Sequence, residues 1–89
     1  MEQTKPNRYV NLSASALVKT GKGVLVGMYV NSTNAGTIKF WDAVTAAVPI
    51  INNTITPAIG YHSLGKAAFT TGLYATIGGT ALDVTLHIQ

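Results

Sequence analysis

The feature that most constrains the fold is a strict alternation of apolar and polar residues near the C-terminus. There Leu82, Val84, Leu86 and Ile88 alternate with polar residues. An earlier stretch has Val24, Val26, Met28 and Val30 at the same spacing, although Leu25 and Tyr29 between them are also apolar. A period of two places alternate side chains on opposite faces of a β-strand. No stretch shows the 3.6-residue period of an amphipathic helix. The chain is therefore predicted to be all-β.

Clusters of Gly, Asn and Pro separate the apolar runs at intervals of roughly ten residues. Gly21-Lys-Gly23 is predicted to be a turn and residues 31–36 a loop, because these residue types tolerate positive φ. Gly78-Gly79 is predicted to close a two-residue hairpin. Seven to eight short strands joined in this way predict an antiparallel β-sandwich that is jelly-roll-like.

The first ten residues, MEQTKPNRYV, are polar and show no apolar periodicity. We therefore expect an N-terminal arm at residues 1–10 and the β-sandwich domain at residues 11–89. The arm is either a frayed terminus or a segment that becomes ordered against a neighbouring subunit. In the second case Lys5, Arg8 and Tyr9 are its expected contacts with the partner.

The composition favours a subunit of a larger assembly. Apolar residues make up 47% of the chain and charged residues 10%, which is the opposite of the balance found in disordered proteins. The chain has no cysteine, so neither a disulfide nor a thiolate metal site can stabilise it. A core this small often gains the missing stability by oligomerisation, and we expect self-association.

Few side chains can perform acid–base chemistry or bind a metal. Asp42 and Asp83 are isolated carboxylates, and His62 and His87 lack the spacing of metal ligands. Ser63 follows His62 but has no G-x-S-x-G context for a nucleophile. We therefore expect no catalytic residue, no cofactor and no bound metal, and we do not expect an enzyme.

Charge and hydropathy also narrow the choice of partner. The formal net charge is +3, but the basic residues are dispersed along the sequence, whereas nucleic-acid binders concentrate them on one face. The N-terminus has no apolar signal region, and no apolar run is long enough to span a membrane. We therefore expect neither nucleic-acid nor membrane binding.

The aromatic residues are the best candidates for binding. Tyr29, Trp41 and Tyr61 are expected to form a subunit interface or a platform for glycans, because Trp and Tyr bury a large area with little loss of rotamer freedom. For Trp41 two alternatives stay open. It packs against a second sheet of its own domain, or it points outward to a partner.

Three stretches carry a characteristic pattern of strand and turn residues. They are Leu17-Val-Lys-Thr-Gly-Lys-Gly-Val-Leu-Val-Gly-Met-Tyr-Val30, Gly36-Thr-Ile-Lys-Phe-Trp-Asp42, and Phe69-Thr-Thr-Gly-Leu-Tyr-Ala-Thr-Ile-Gly-Gly-Thr80 followed by Asp83-Val-Thr-Leu. Together they resemble small β-sandwich virion proteins of tailed bacteriophages over residues 17–88. These motifs are structural, and no catalytic residue carries over with them.

The resemblance implies a head decoration (cement) protein that binds the assembled shell, or else a module of a head fibre or tail that binds host glycans. As a decoration protein it would be made in the host cytoplasm and would be located on the virion head. It would associate as a homotrimer and contact the major capsid protein or other virion subunits. Lys5, Arg8 and Tyr9 would then contact the capsid.

Overall fold

The computed structural model describes residues 8–89, without the side chains of residues 80 and 81. This range forms six strands and no helix. The strands are β1 (Arg8–Leu12), β2 (Ala16–Thr20), β3 (Gly23–Trp41), β4 (Ile50–Ile55), β5 (Gly60–Phe69) and β6 (Gly72–Ile88). They belong to one antiparallel sheet that curls into a half-barrel. The prediction of an all-β, antiparallel fold is confirmed.

Two long strands, β3 and β6, run through the whole molecule and pair with each other. At one end, β1 pairs with β6 and β5 pairs with β3; we call this end the β1 half. At the other end, β2 pairs with β6 and β4 pairs with β3; we call this the β2 half. Each half is thus four strands wide and shares the same two central strands.

The two long strands bend together where the halves meet. The register between them shifts three times across residues 30–37, where Asn34 lies opposite Thr80 and Thr37 opposite Gly78. Ala35 and Gly79 adopt positive φ angles of 58° and 74°. The predicted hairpin at Gly78-Gly79 is wrong, because these glycines let β6 bend against β3 and continue in the same direction.

Both halves enclose one hydrophobic core. Its members come from β1, β3, β5 and β6, and the largest fully buried side chains include Phe40, Phe69, Leu25 and Met28. Leu82, Val84, Leu86 and Ile88 all point into this core, as their spacing predicted. The alternation of residues 38–41 is also confirmed, because Ile38 and Phe40 are buried whereas Lys39 and Trp41 are partly exposed.

The finer prediction of a jelly-roll-like sandwich with seven or eight short strands is not confirmed. The sequence pattern predicted separate short strands on the two sides of each bend. In the structure β3 and β6 stay paired with each other on both sides of their bends. The Gly21 N–H donates to the Thr71 carbonyl at 2.9 Å, which continues the β2–β6 ladder by one residue beyond Thr20. The Gly21-Lys-Gly23 turn between β2 and β3 agrees with the sequence prediction.

Part of the predicted arm is a strand. Arg8 pairs with Ile88 and Tyr9 with His87 in the β1–β6 ladder, so residues 8–10 belong to β1. Lys5 and the rest of residues 1–7 lie outside the described residues. An arm therefore stays a prediction for residues 1–7 only. The sequence pattern was too short to show β1, because only two of its five residues are aliphatic.

Candidate functional site

Three tyrosines and a histidine share the outer face of the β1 half, and we call this surface the tyrosine face. Tyr9, Tyr29 and Tyr61 expose 79%, 46% and 51% of their surface. Tyr9 lies opposite His87, and Tyr29 lies opposite Tyr61, so each pair projects from the same side of the sheet. The Tyr61 and His87 rings meet edge to face, with centroids 5.8 Å apart. The fold thus brings four rings from four strands onto one surface.

A glycine allows Tyr61 to lie across the sheet. Gly27 lies opposite His87 on one side and Ser63 on the other, between the two rings that meet. A Cβ atom at Gly27 would overlap the Tyr61 hydroxyl end and would lie 2.8 Å from the carbonyl oxygen of His62. The absence of a side chain at Gly27 therefore leaves room for the Tyr61 ring to lie against the backbone of β3.

A hydrogen-bonded group borders the tyrosine face, and we call it the asparagine cluster. It consists of Asn11, Asn31, Asp83 and Thr85. The Nδ2 atoms of Asn11 and Asn31 donate to Asp83 Oδ1 at 3.0 and 2.9 Å, and both also donate to the Thr85 hydroxyl. Asn11 Nδ2 further donates to the carbonyl oxygen of Val84. The cluster ties β1, β6 and β3 together across the outer face.

The two amides also set the charge of the cluster. Hydrogen bonds from Asn11 and Asn31 lower the pKa of Asp83 below its ordinary value, and they outweigh a smaller desolvation effect that raises it. Because both Nδ2 atoms are engaged, the cluster turns oxygen acceptors and one carboxylate toward solvent. It can therefore accept hydrogen bonds from hydroxyl or ammonium groups.

Trp41 lies on the other half of the molecule, away from Tyr29 and Tyr61. Its indole N–H donates to the Thr76 hydroxyl at 2.8 Å, and the Lys39 ammonium lies 4.1 Å from its ring centroid. The predicted grouping of Tyr29, Trp41 and Tyr61 is therefore only partly realised in space. Both tyrosines share the tyrosine face, whereas one ring face of Trp41 is covered by a cation.

The carboxylate of Asp42 has a structural role. It follows β3 and accepts hydrogen bonds from the backbone N–H groups of Thr70, Thr71 and Gly72, and from the Thr70 hydroxyl. Desolvation raises its pKa, but these hydrogen bonds outweigh that effect and the pKa is lowered. Asp42 therefore fixes the β5–β6 turn to the end of β3.

Some of these residues escaped the sequence analysis. Asn11 and Asn31 contact Asp83 from 72 and 52 residues away in the sequence, so no local motif joins them. One sequence pattern could have indicated the position of Asp83. Asp83, Thr85 and His87 alternate with the buried residues of β6, which places all three on the outer face of the sheet. Within residues 8–89, no group of three or more His, Cys, Asp and Glu side chains could hold a metal ion.

No protein-family model, curated protein or solved structure matches the chain. Within the part of the chain that the structure describes, no helix has the length and apolar character needed to cross a membrane.

Proposed function

We propose that the chain is a structural virion protein of a tailed phage, a decoration (cement) protein that binds and stabilises the assembled head shell. The tyrosine face is the observation that most supports this adhesive role. Tyrosine is favoured at interfaces because its ring buries a large area with only two side-chain torsions to fix. The rings project from hydrogen-bonded strands, so little backbone conformational freedom is lost when they contact a partner.

The stabilising mechanism would be mass action. A protein that binds only the assembled shell lowers the free energy of that state by its differential affinity. Repeated copies on a symmetric lattice multiply weak contacts through avidity. We further propose that the protein is a homotrimer. We also propose that the curled sheet is equivalent to a β-sandwich, because its two halves cover a single core.

Purified virions provide the first test. Mass spectrometry of phage particles that encode this chain should find it in hundreds of copies, and light scattering of the isolated protein should give three subunits. Recovery of only a handful of copies would contradict a head decoration role and favour a tail location. Absence of the chain from the particles would contradict the virion assignment altogether.

Shell binding tests the role of the tyrosine face. The double variant Tyr29→Ala, Tyr61→Ala should bind purified shells at least about tenfold more weakly, because truncated interface aromatics commonly cost more than 1 kcal/mol each. Val48→Ala is the matched control, since Val48 is an exposed apolar residue between β3 and β4, in the β2 half. Equal losses in both variants would contradict a specific role for the tyrosines.

A second candidate function is glycan binding by a head-fibre or tail module. The observation that favours it is the placement of Tyr29 and Tyr61 beside the oxygen acceptors of the asparagine cluster, since sugars offer C–H faces to rings and hydroxyl protons to acceptors. Because Trp41 lies on the other half, binding at this face should leave its fluorescence unchanged. A glycan array with the wild-type protein and Tyr61→Ala tests this function. Binding that survives the substitution would contradict it.

A further inference from the structure

Two cavities adjoin one another at the open end of the half-barrel. The first is about 340 Å³ in volume and lies between β1, β2 and the end of β6. The second is about 470 Å³ and lies between the β2–β3 turn and the end of β5. Lys19 and Gln89 line both cavities, so the two cavities are neighbours, and we treat them together as one groove. Each volume lies within the range of ligand-binding sites.

The fold concentrates positive charge along this groove. Arg8 lines the first cavity, Lys22 lines the second, and Lys19 lines both. Of the five basic residues that the structure describes, the other two, Lys39 and Lys66, do not line it. We call this feature the basic groove. Three of the five described basic residues, dispersed in the sequence, are therefore gathered along this groove.

Neither described aspartate lines the groove. Asp83 belongs to the asparagine cluster. Asp42 approaches the second cavity only through Thr70, and its oxygens accept hydrogen bonds from the β5–β6 turn. Among the side chains that the structure describes, the groove lining therefore includes three cationic groups and no aspartate or glutamate, and an anionic partner would be attracted to it.

The walls of the groove are apolar between the charges. The first cavity is lined by Val10, Val18, Ile88 and the ring of Tyr9, and the second by Val24, Ala68 and the buried Phe69. β1 and β2 flank the first cavity, and each of them pairs with β6 alone among the described strands. A strand with one unpaired edge can accept another extended segment. Charged rims, apolar walls and strand edges together match a polypeptide in extended conformation.

We propose that the basic groove binds an extended acidic segment of a partner polypeptide. In an extended segment, successive side chains point to opposite sides. Alternate apolar side chains would contact the valines, while the acidic side chains between them would face Arg8, Lys19 and Lys22. A polypeptide fits better than a single-stranded nucleic acid because most of the apolar lining is aliphatic and Tyr9 is its one exposed aromatic ring, whereas single-stranded nucleic acids stack successive bases on several aromatic platforms.

Binding of an acidic segment would specify the partner of the proposed adhesive protein. It rests on the proposed function only in placing that partner in the virion. The groove shares Tyr9 with the tyrosine face, but neither Tyr29 nor Tyr61 lines it. Failure of shell binding after changes to the tyrosines would leave peptide binding intact. Failure of peptide binding would leave the tyrosine face and the virion assignment untouched.

The test uses the full chain and a fluorescently labelled, capped peptide in which Glu alternates with Val. Fluorescence anisotropy should show binding that weakens with added salt, and the same peptide with Gln in place of Glu should bind much more weakly. The double variant Lys19→Glu, Lys22→Glu should lose about tenfold or more in affinity. Lys66→Glu is the matched control, since Lys66 is an exposed lysine outside the groove, and it should bind like the wild type.

Arg8→Gln gives an independent check on a different strand and should also weaken binding. Circular dichroism melts of every variant should show whether the fold is intact. Equal binding of the Glu and Gln peptides, or equal losses in the groove and control variants, would overturn the proposal. Tighter binding of a single-stranded oligonucleotide would overturn it in favour of nucleic acid. Peptide binding that appears only after deletion of residues 1–7 would overturn it in favour of self-occupancy by that segment.

Discussion

Hydrogen bonds from a few individual side chains help to stabilise the curled shape of this sheet. The two carboxylate oxygens of Asp42 accept hydrogen bonds from three consecutive backbone N–H groups, those of Thr70, Thr71 and Gly72. Asn11 and Asn31 perform a similar task on the outer face, where they hold Asp83. Both carboxylates have a lowered pKa, which means that the folded state favours their charged form.

We predict that Asp42→Asn lowers the free energy of unfolding at neutral pH by about 1 kcal/mol. This figure is that of hydrogen bonds to a charged group, reduced for their exposure to solvent. Urea denaturation followed by circular dichroism measures the change. An unchanged midpoint would show that the β5–β6 turn holds its position without this carboxylate.

The same residue predicts a dependence on acid. Because the folded-state pKa of Asp42 is lowered, its contribution is complete above the unfolded-state pKa of about 3.9 and is lost as the pH falls through the folded-state pKa. The stability difference between wild type and Asp42→Asn should therefore shrink as denaturation is repeated at progressively lower pH below about 4. A difference that stays constant down to pH 2 would contradict the assigned role of the charge.

We also predict that Gly27→Ala destabilises the protein by about 1–3 kcal/mol, the usual cost of forcing extra atoms into a filled space. The new Cβ atom would meet the carbonyl oxygen of His62, which is backbone and cannot rotate away. Ser63→Ala, on the neighbouring strand in register, is the control and should change stability by less than about 0.5 kcal/mol. A thermal melt of Gly27→Ala that matches the wild type would contradict the close approach of Tyr61 to β3.

Among the elements, strands with a buried and an exposed face were predictable, and bends were not. Alternation placed Ile38 and Phe40 in the core, because burial on one side of a sheet imposes a period of two. The same reasoning failed at Gly78-Gly79, since a hairpin and a bend use the same residue types. What distinguishes them is the pairing of residues 34–37 with residues 78–80, which is a long-range contact.

The candidate sites divide in the same way. Tyr29 and Tyr61 could be chosen from the sequence because aromatic residues are few in this chain. The basic groove could not, because Arg8 and Lys19 approach only when the sheet curls and brings β1 toward β2. A linear charge count does not contain that information.

We predict that the boundary of the removable N-terminal segment lies between residues 7 and 12. Deletion of residues 1–7 should leave the unfolding transition in place. Deletion of residues 1–12 removes β1 and the buried Leu12, and should cost at least about 2 kcal/mol. Chemical denaturation of the two truncated proteins measures the difference. Equal stability of both would show that β1 contributes nothing to the fold.

At the scale of the whole molecule, β3 and β6 join the two halves into one unit. The hydrophobic core draws on both halves, and no strand of the core belongs to a separate sheet. Cooperative unfolding is therefore expected, even though the molecule is elongated, with extents of 44 × 27 × 17 Å.

We predict that two probes report one transition. Trp41 is the single tryptophan and lies in the β2 half, so its fluorescence follows that half, whereas far-ultraviolet circular dichroism follows all strands. The two urea curves should coincide in wild type and in Leu86→Ala, although the substitution lies in the β1 half and should shift both midpoints. Curves that separate in the variant would show that the halves melt independently.

The position of β6 in the chain has a consequence for biosynthesis. Both β1 and β2 find their partner in β6, the last strand of the described range, and so does most of β3. A nascent polypeptide emerging from the ribosome therefore carries β1 and β2 without their ladders until the paired residues of β6, 72–75 for β2 and 84–88 for β1, have left the exit tunnel. These unpaired segments are the ones that a chaperone would meet first.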